Sequence, residues 1–211
     1  MTRIALIDGP LSTESPGVAE VIDPVGGARL RSPAGQHAAA IAAAIRSEAP
    51  DVAIISIPVF QGRLAASVAD LVTALRLAAD TDAVIVHCSL GLGRNAPEVA
   101  EAIAALADRV IVASAVARGG PVWPAALPTV IAVQGDARCA PGQWSHLDLP
   151  TADFGACPRL GHRPDVAGPS IAAAHVTGVL AAQGVKCPSA AKAFLETGAS
   201  FVGREHRTAE T

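Results

Sequence analysis

Three side chains in this sequence could share acyl-transfer chemistry: the carboxylate of Asp8, the imidazole of His37 and the hydroxyl of Ser170. Ser170 lies in Gly168-Pro169-Ser170-Ile171-Ala172-Ala173-Ala174-His175-Val176, where a Gly-Pro breaker opens an Ala-rich helix. A hydroxyl at a helix start sits beside unpaired backbone N–H groups and the positive end of the helix dipole. That environment suits a nucleophile whose target oxygen becomes negative. The commoner task of a serine there is to cap the helix. Asp8 closes the run Ile4-Ala5-Leu6-Ile7-Asp8 ahead of Gly9-Pro10, so its carboxylate projects from a strand end, where turn capping is the ordinary alternative. His37 follows Gly35-Gln36 and opens a second Ala-rich stretch. Taken alone it reads as a surface histidine. The helix N-terminus is expected to lower its pKa and keep it neutral, the state a general base requires.

The elements that must position these groups can be read from periodicity. Apolar runs rich in Val and Ile recur at Ile4 to Ile7, Val52 to Ile57, Ala83 to Cys88, Val110 to Ala113 and Val130 to Val133. They do not alternate with polar residues, which is how strands buried on both faces read. Between them lie helical segments: Gln36 to Ser47, Leu64 to Ala79 with Leu71, Leu75 and Ala78 on one face, and Pro97 to Ala107. A last helix is expected from about Pro188 to Glu196. Strands alternating with helices predict an α/β fold, a doubly wound and mostly parallel sheet with helices on both faces. Ligand chemistry in such sheets gathers at the carboxyl ends of the strands, where Asp8 is expected. Asp136 to Pro169 is rich in Pro, Gly, Asp and His and reads as loops with one irregular hairpin. Residues 1–202 form one expected domain, and 203–211 a polar, frayed tail.

The order Asp, His, Ser is that of the subtilisin-like serine proteases, and the resemblance runs through most of the chain. Ile7-Asp8-Gly9 resembles the family's strand-end Asp motif. Gly35-Gln36-His37-Ala38-Ala39-Ala40-Ile41-Ala42 resembles its H-G-T-H-V-A-G element, and Cys88-Ser89-Leu90-Gly91 the S-L-G segment that lines the substrate cleft. Trp123-Pro124-Ala125-Ala126-Leu127-Pro128-Thr129-Val130-Ile131-Ala132-Val133 resembles Y-P-A-x-x-P-x-V-I-A-V, and Gly168 to Val176 is similar to G-T-S-M-A-T-P-H-V. The resemblance implies a subtilisin-like fold, Ser170 as nucleophile, His37 as general base and Asp8 as the group that holds the imidazole. It implies a peptide or protein substrate seated against Ser89, Leu90 and Gly91, and a structural role for His175. No cofactor is implied. Processing of a ribosomally made precursor peptide is suggested by analogy with small-loop bacterial relatives.

The pattern breaks at the oxyanion position. Where the family carries A-A-G-N-E-G, this chain has Val112-Ala113-Ser114-Ala115-Val116-Ala117-Arg118-Gly119, with Ala117 at the Asn position. The one asparagine of the chain, Asn95, reads instead as the cap of the helix at Pro97. Loss of such a donor costs about 3 kcal/mol of transition-state stabilisation. The Ser170 backbone N–H remains, and Ser114 or Arg118 could substitute. Pro169 and Ile171 replace the family's Thr and Met, and no calcium loop or propeptide is visible. Two readings therefore stay open: a slow or narrowly specific serine endopeptidase, and a pseudoprotease or peptide-binding partner subunit that keeps the fold.

Composition narrows the rest. The chain has 211 residues and a net charge of −3, with no basic run, which argues against a nucleic-acid surface. It enters its first strand at once, leaving no room for a signal peptide, and no apolar stretch suits a bilayer span, so a cytoplasmic protein without membrane attachment is expected. Cys88, Cys139, Cys157 and Cys187 are widely spaced and expected to be reduced, Cys88 in the core. Cys139, His146, Cys157 and His162 are zinc-type residues whose spacing matches no compact zinc pattern, so no metal site is expected. Gly91-Leu92-Gly93 lacks a full dinucleotide fingerprint. A partner protein chain is a further candidate interactor.

Overall fold

The structure is a computed structural model that describes residues 1–24, 26–27, 29–161 and 163–205. The first half of the chain runs β1 (Arg3–Asp8), β2 (Val18–Val21), α1 (Pro33–Glu48), β3 (Ala53–Pro58), α2 (Val68–Ala79), β4 (Ile85–Cys88), α3 (Pro97–Ala104) and β5 (Val110–Ser114). The second half continues with β6 (Ile131–Gly135), β7 (Trp144–Leu149), β8 (Ala152–Ala156), β9 (Arg159–Leu160), β10 (Arg163–Ala167), α4 (Pro169–Ala182), α5 (Pro188–Thr197) and β11 (Phe201–Val202).

The main sheet has nine strands in the order β11-β7-β8-β6-β5-β4-β1-β3-β2. Its pairings are parallel except for β7 against β8. After β1 the chain passes through α1 to β3 on one flank, then through α2 back to β4 on the other. The crevice between β1 and β4 is therefore the topological switch point, the place where such sheets bind ligands.

The five non-alternating runs all become strands because each is covered on both faces. Ile4, Leu6, Ile54, Ile85, Val112 and Val133 pack under α1 and α4, whereas Ala5, Ile7, Ile55, Val86, Ile111 and Ala132 pack under α2 and α3. With so few aromatics, the two interiors are filled by aliphatic side chains, and Phe154 is the largest of the fully buried ones.

Close approach of α1 and α4 depends on small residues. A Cβ at Gly178 of α4 would lie 2.4 Å from the Ile45 carbonyl oxygen of α1. Gly178→Ala should therefore force the helices apart and destabilise the protein by about 1–3 kcal/mol. Urea unfolding of the variant measures this, and an unchanged midpoint would contradict the contact.

Several local expectations are corrected. Helix α2 begins at Val68, capped by Ser67 in a reciprocal capping box with Asp70, so Leu64 lies outside it and is exposed. Asn95 is not the cap of α3: that position is Ala96, which offers no side chain. The stretch after Asp136 holds more order than one hairpin. Strands β7 and β8 extend the main sheet with a register shift, and β9 and β10 form a second, two-stranded sheet. Short edge strands β2 and β11 carry too few buried residues to show a period. Gly203, the first residue of the expected tail, is tied by its N–H to the His146 carbonyl and by its own carbonyl to Arg138. Residues 206–211 lie outside the described residues.

Candidate active site

Asp8 is the last residue of β1 and is fully buried. Its Oδ1 accepts hydrogen bonds from the Gly9 N–H and from His37 Nδ1, the latter at 2.9 Å. Gly9 is required here, because a Cβ on it would lie 2.0 Å from the Ala34 carbonyl oxygen. That backbone contact seats the first turn of α1 on the end of β1 and so fixes where the imidazole is presented.

His37 is the fifth residue of α1, which Pro33 starts and the Ser32 hydroxyl caps by accepting from the Gly35 N–H. It therefore does not open the helix, and the dipole is not the dominant influence. Burial lowers the His37 pKa, but the hydrogen bond and charge of Asp8 outweigh it, so the net shift is upward from 6.5. The expected dipole-lowered histidine is replaced by one held partly by a buried carboxylate. Donation from Nδ1 to Asp8 leaves Nε2 as the lone-pair nitrogen of the neutral ring.

Ser170 is the second residue of α4, and the N-cap is Gly168. The ordinary capping role for this serine is thereby removed. Its backbone N–H belongs to the first turn, which has no intrahelical acceptor. Ser170 and His37 line one cleft with Ser89, Leu90, Gly91, Ser114, Ala115 and Val116. Asp8 meets this group from beneath through His37. The segment after β4 and the end of β5 form the cleft wall, at the carboxyl edge of the sheet.

Ala117 is exposed and is not among the residues lining the cleft. Ser114 does line it, and its hydroxyl makes no hydrogen bond to another described residue. The remaining walls include Phe60, Leu64, Ala66, Leu92 and Val122, and among the described residues no acidic or basic side chain contributes besides His37. Leu92 and Trp123 exchange backbone hydrogen bonds of 2.7 and 3.0 Å, which closes the wall beyond Gly91.

Sequence reading missed His87. It is a fully buried residue of β4 in register with Leu6, two residues before Asp8 on the same face of the sheet, with Nδ1 2.8 Å from Thr177 Oγ1. Burial away from solvent pushes its pKa down to about 3, with the nearby His37 adding to the effect. Only the face assignment of strand β4 could have flagged it. His175 is buried on α4, with Nδ1 2.7 Å from Glu48 Oε1 and Nε2 3.1 Å from the Arg159 carbonyl, and is not among the residues lining the cleft.

Among the described residues, no group of three or more His, Cys, Asp or Glu side chains could hold a metal ion. Cys139 and Cys157 are buried free thiols, His146 packs against Phe154 at 5.4 Å, and His162 lies outside the described residues. No helix among the described residues is long and apolar enough to cross a membrane.

No protein-family model and no curated protein matches the chain. Solved structures do. The prenylagaramide maturation protease PagA aligns with a TM-score of 0.66 and 21% identity, covering 93% of this chain and 82% of that one. A point mutant of the protease domain of PatA aligns with a TM-score of 0.68 and 20% identity, covering 93% and 86%. Both are proteases. Agreement of architecture over nine-tenths of the chain, at this level of identity, establishes one conclusion: the chain has the subtilisin-like fold.

Proposed function

We propose that this chain is a serine endopeptidase in which residues 1–202 act as one catalytic unit, and that it processes a precursor peptide. The observation that carries the proposal is the buried Asp8 accepting from His37 Nδ1, with His37 and Ser170 lining one cleft.

Ser170 Oγ attacks the scissile carbonyl carbon as His37 Nε2 takes its proton. The resulting tetrahedral intermediate collapses when His37 returns that proton to the leaving amine, and an ester on Ser170 remains. Water, deprotonated by His37, then attacks the ester carbonyl, and as the acyl C–O bond breaks His37 returns that proton to Ser170 Oγ and the new carboxylate terminus leaves. Asp8 keeps the ring in the required tautomer and stabilises the imidazolium formed in each half-reaction. The Ser170 N–H at the start of α4 donates to the oxyanion.

The second oxyanion donor is the Ser114 hydroxyl. It lines the cleft with Ser170 and is not committed to another described residue, whereas Ala117 is outside the lining. Ser114→Ala should lower kcat by about 10²-fold with little change in KM. Steady-state kinetics would measure this, and an unchanged kcat would remove Ser114 from the role.

Away from His37 and the three serines the described walls are Phe60, Leu64, Leu90, Leu92 and Val122 and carry no charge, so the acyl side of the substrate carries apolar residues rather than Lys or Arg. Ser89, Leu90 and Gly91 offer backbone to an extended substrate strand. A panel of short chromogenic peptides tests this: turnover confined to apolar sequences, with an initial burst equal to the enzyme concentration, is expected. Absence of turnover and burst across the panel would favour the second reading, a peptide-binding subunit for which the exposed Ala117 is the supporting observation.

A further inference from the structure

The underside of the Asp8–His37 pair carries a polar patch that the peptidase mechanism leaves unused. Leu6 of β1 is in register with His87 of β4, and the last rung pairs Ile7 with Cys88. Asp8 and Ser89 each follow that rung, and the Ser89 N–H donates to the Ile7 carbonyl. Strand alternation puts Asp8 and His87 on the face that meets α1 and α4, and Ser89 follows directly on the end of β4. In that patch Asp8 Oδ2, His87 Nε2 and Ser89 Oγ are buried and have no hydrogen-bond partner among the described residues. Asp8 spends both of its protein donors on Oδ1.

Buried polar atoms in folded proteins are nearly always satisfied, and where protein groups do not do so an internal water with about three partners commonly does. The atoms are chemically complementary. Oδ2 can only accept, the Ser89 hydroxyl can donate, and a neutral imidazole has one N–H. When Thr177 donates to His87 Nδ1, that N–H is at Nε2.

We propose that Asp8 Oδ2, His87 Nε2 and Ser89 Oγ hold one internal water beneath the Asp8–His37 pair, with His87, anchored by Thr177, as a positioning residue for the Asp8 carboxylate. The water donates to Oδ2 and accepts from His87 and Ser89. His87 keeps a neutral ring at working pH because burial holds its pKa down near 3. The titratable group acting on it is His37 from α1; β1 presents Leu6 in register, with Asp8 two residues further on, α4 presents Thr177 and β5 presents Val112. The water site stands on the packing alone, and only its effect on turnover rests on the peptidase reading.

Two measurements on the intact chain test it without requiring turnover. A high-resolution crystal structure should show one ordered solvent peak within about 3.2 Å of both Oδ2 and Nε2. NMR titration of the His37 ring should show a higher midpoint, by about half a pH unit, in both Thr177→Val and His87→Phe, because a carboxylate stripped of its second donor holds the imidazolium more tightly. His87→Gln, whose amide can donate, should restore the wild-type midpoint. If the enzyme turns over, kcat falls about tenfold in the first two variants at constant KM. Absence of the peak overturns the proposal, as does an unmoved His37 midpoint in the folded Thr177→Val protein. A protein that shows both but cleaves nothing keeps the water site and loses the peptidase reading.

Discussion

Ser170→Ala should reduce peptide hydrolysis by roughly 10⁴- to 10⁶-fold, the loss seen when the nucleophile of a triad is removed and only binding and oxyanion contacts remain. The position makes this a clean test. Ser170 is the second residue of α4, and Gly168 rather than Ser170 is the cap, so the substitution removes no capping bond. Alanine is the best helix former, and stability should change by less than about 0.5 kcal/mol. Activity and stability therefore separate, and thermal unfolding beside the rate measurement shows that the fold survived. Turnover retained at more than a tenth of wild type would place the nucleophile elsewhere.

Asp8→Asn should cost about 10⁴-fold in kcat, because an amide can donate to the ring and favour the wrong tautomer. The same variant should move the pH profile, and the sign follows from the causes of the His37 shift. Burial lowers its pKa while the Asp8 hydrogen bond and charge raise it, with a net upward result. The base must be neutral, so wild-type kcat/KM should rise through a midpoint above 6.5 as pH increases. Removing the Asp8 charge leaves burial as the surviving cause, so the residual activity of the variant should rise through a midpoint below 6.5. A midpoint that does not move on Asp8→Asn would contradict the coupling of the two residues.

Much of this arrangement was legible in the chain because it is written in local chemistry. Asp8-Gly9-Pro10 ends a strand, and Gly168-Pro169 starts a helix two residues before the hydroxyl is needed. Non-alternating Val and Ile runs reported the doubly covered sheet, since burial on both faces erases period two. What the sequence hid is what depends on partners distant in the chain. Burial pulls the His37 pKa down and a carboxylate 29 residues earlier more than reverses it, whereas the dipole is a property of α1 alone. His87 looked like one more residue in an apolar run, and its bond to Thr177 spans 90 residues. Strands β7 and β8 fit the one irregular hairpin expected there, but their attachment to the main sheet was hidden because their burial is shared among an antiparallel pair at the sheet margin rather than concentrated in an apolar run. Asn95 looked like a cap because it precedes Pro97, yet Ala96 has the extended backbone of the cap position.

The central claim is that His37 and Asp8 activate Ser170 as a nucleophile. Labelling with a fluorophosphonate probe, followed by mass spectrometry of the modified peptide, tests it most directly. One adduct per chain, located on Ser170 and lost in His37→Ala, is the predicted result. Folded wild-type protein left unlabelled above the His37 midpoint, or an adduct on any other serine, would contradict it.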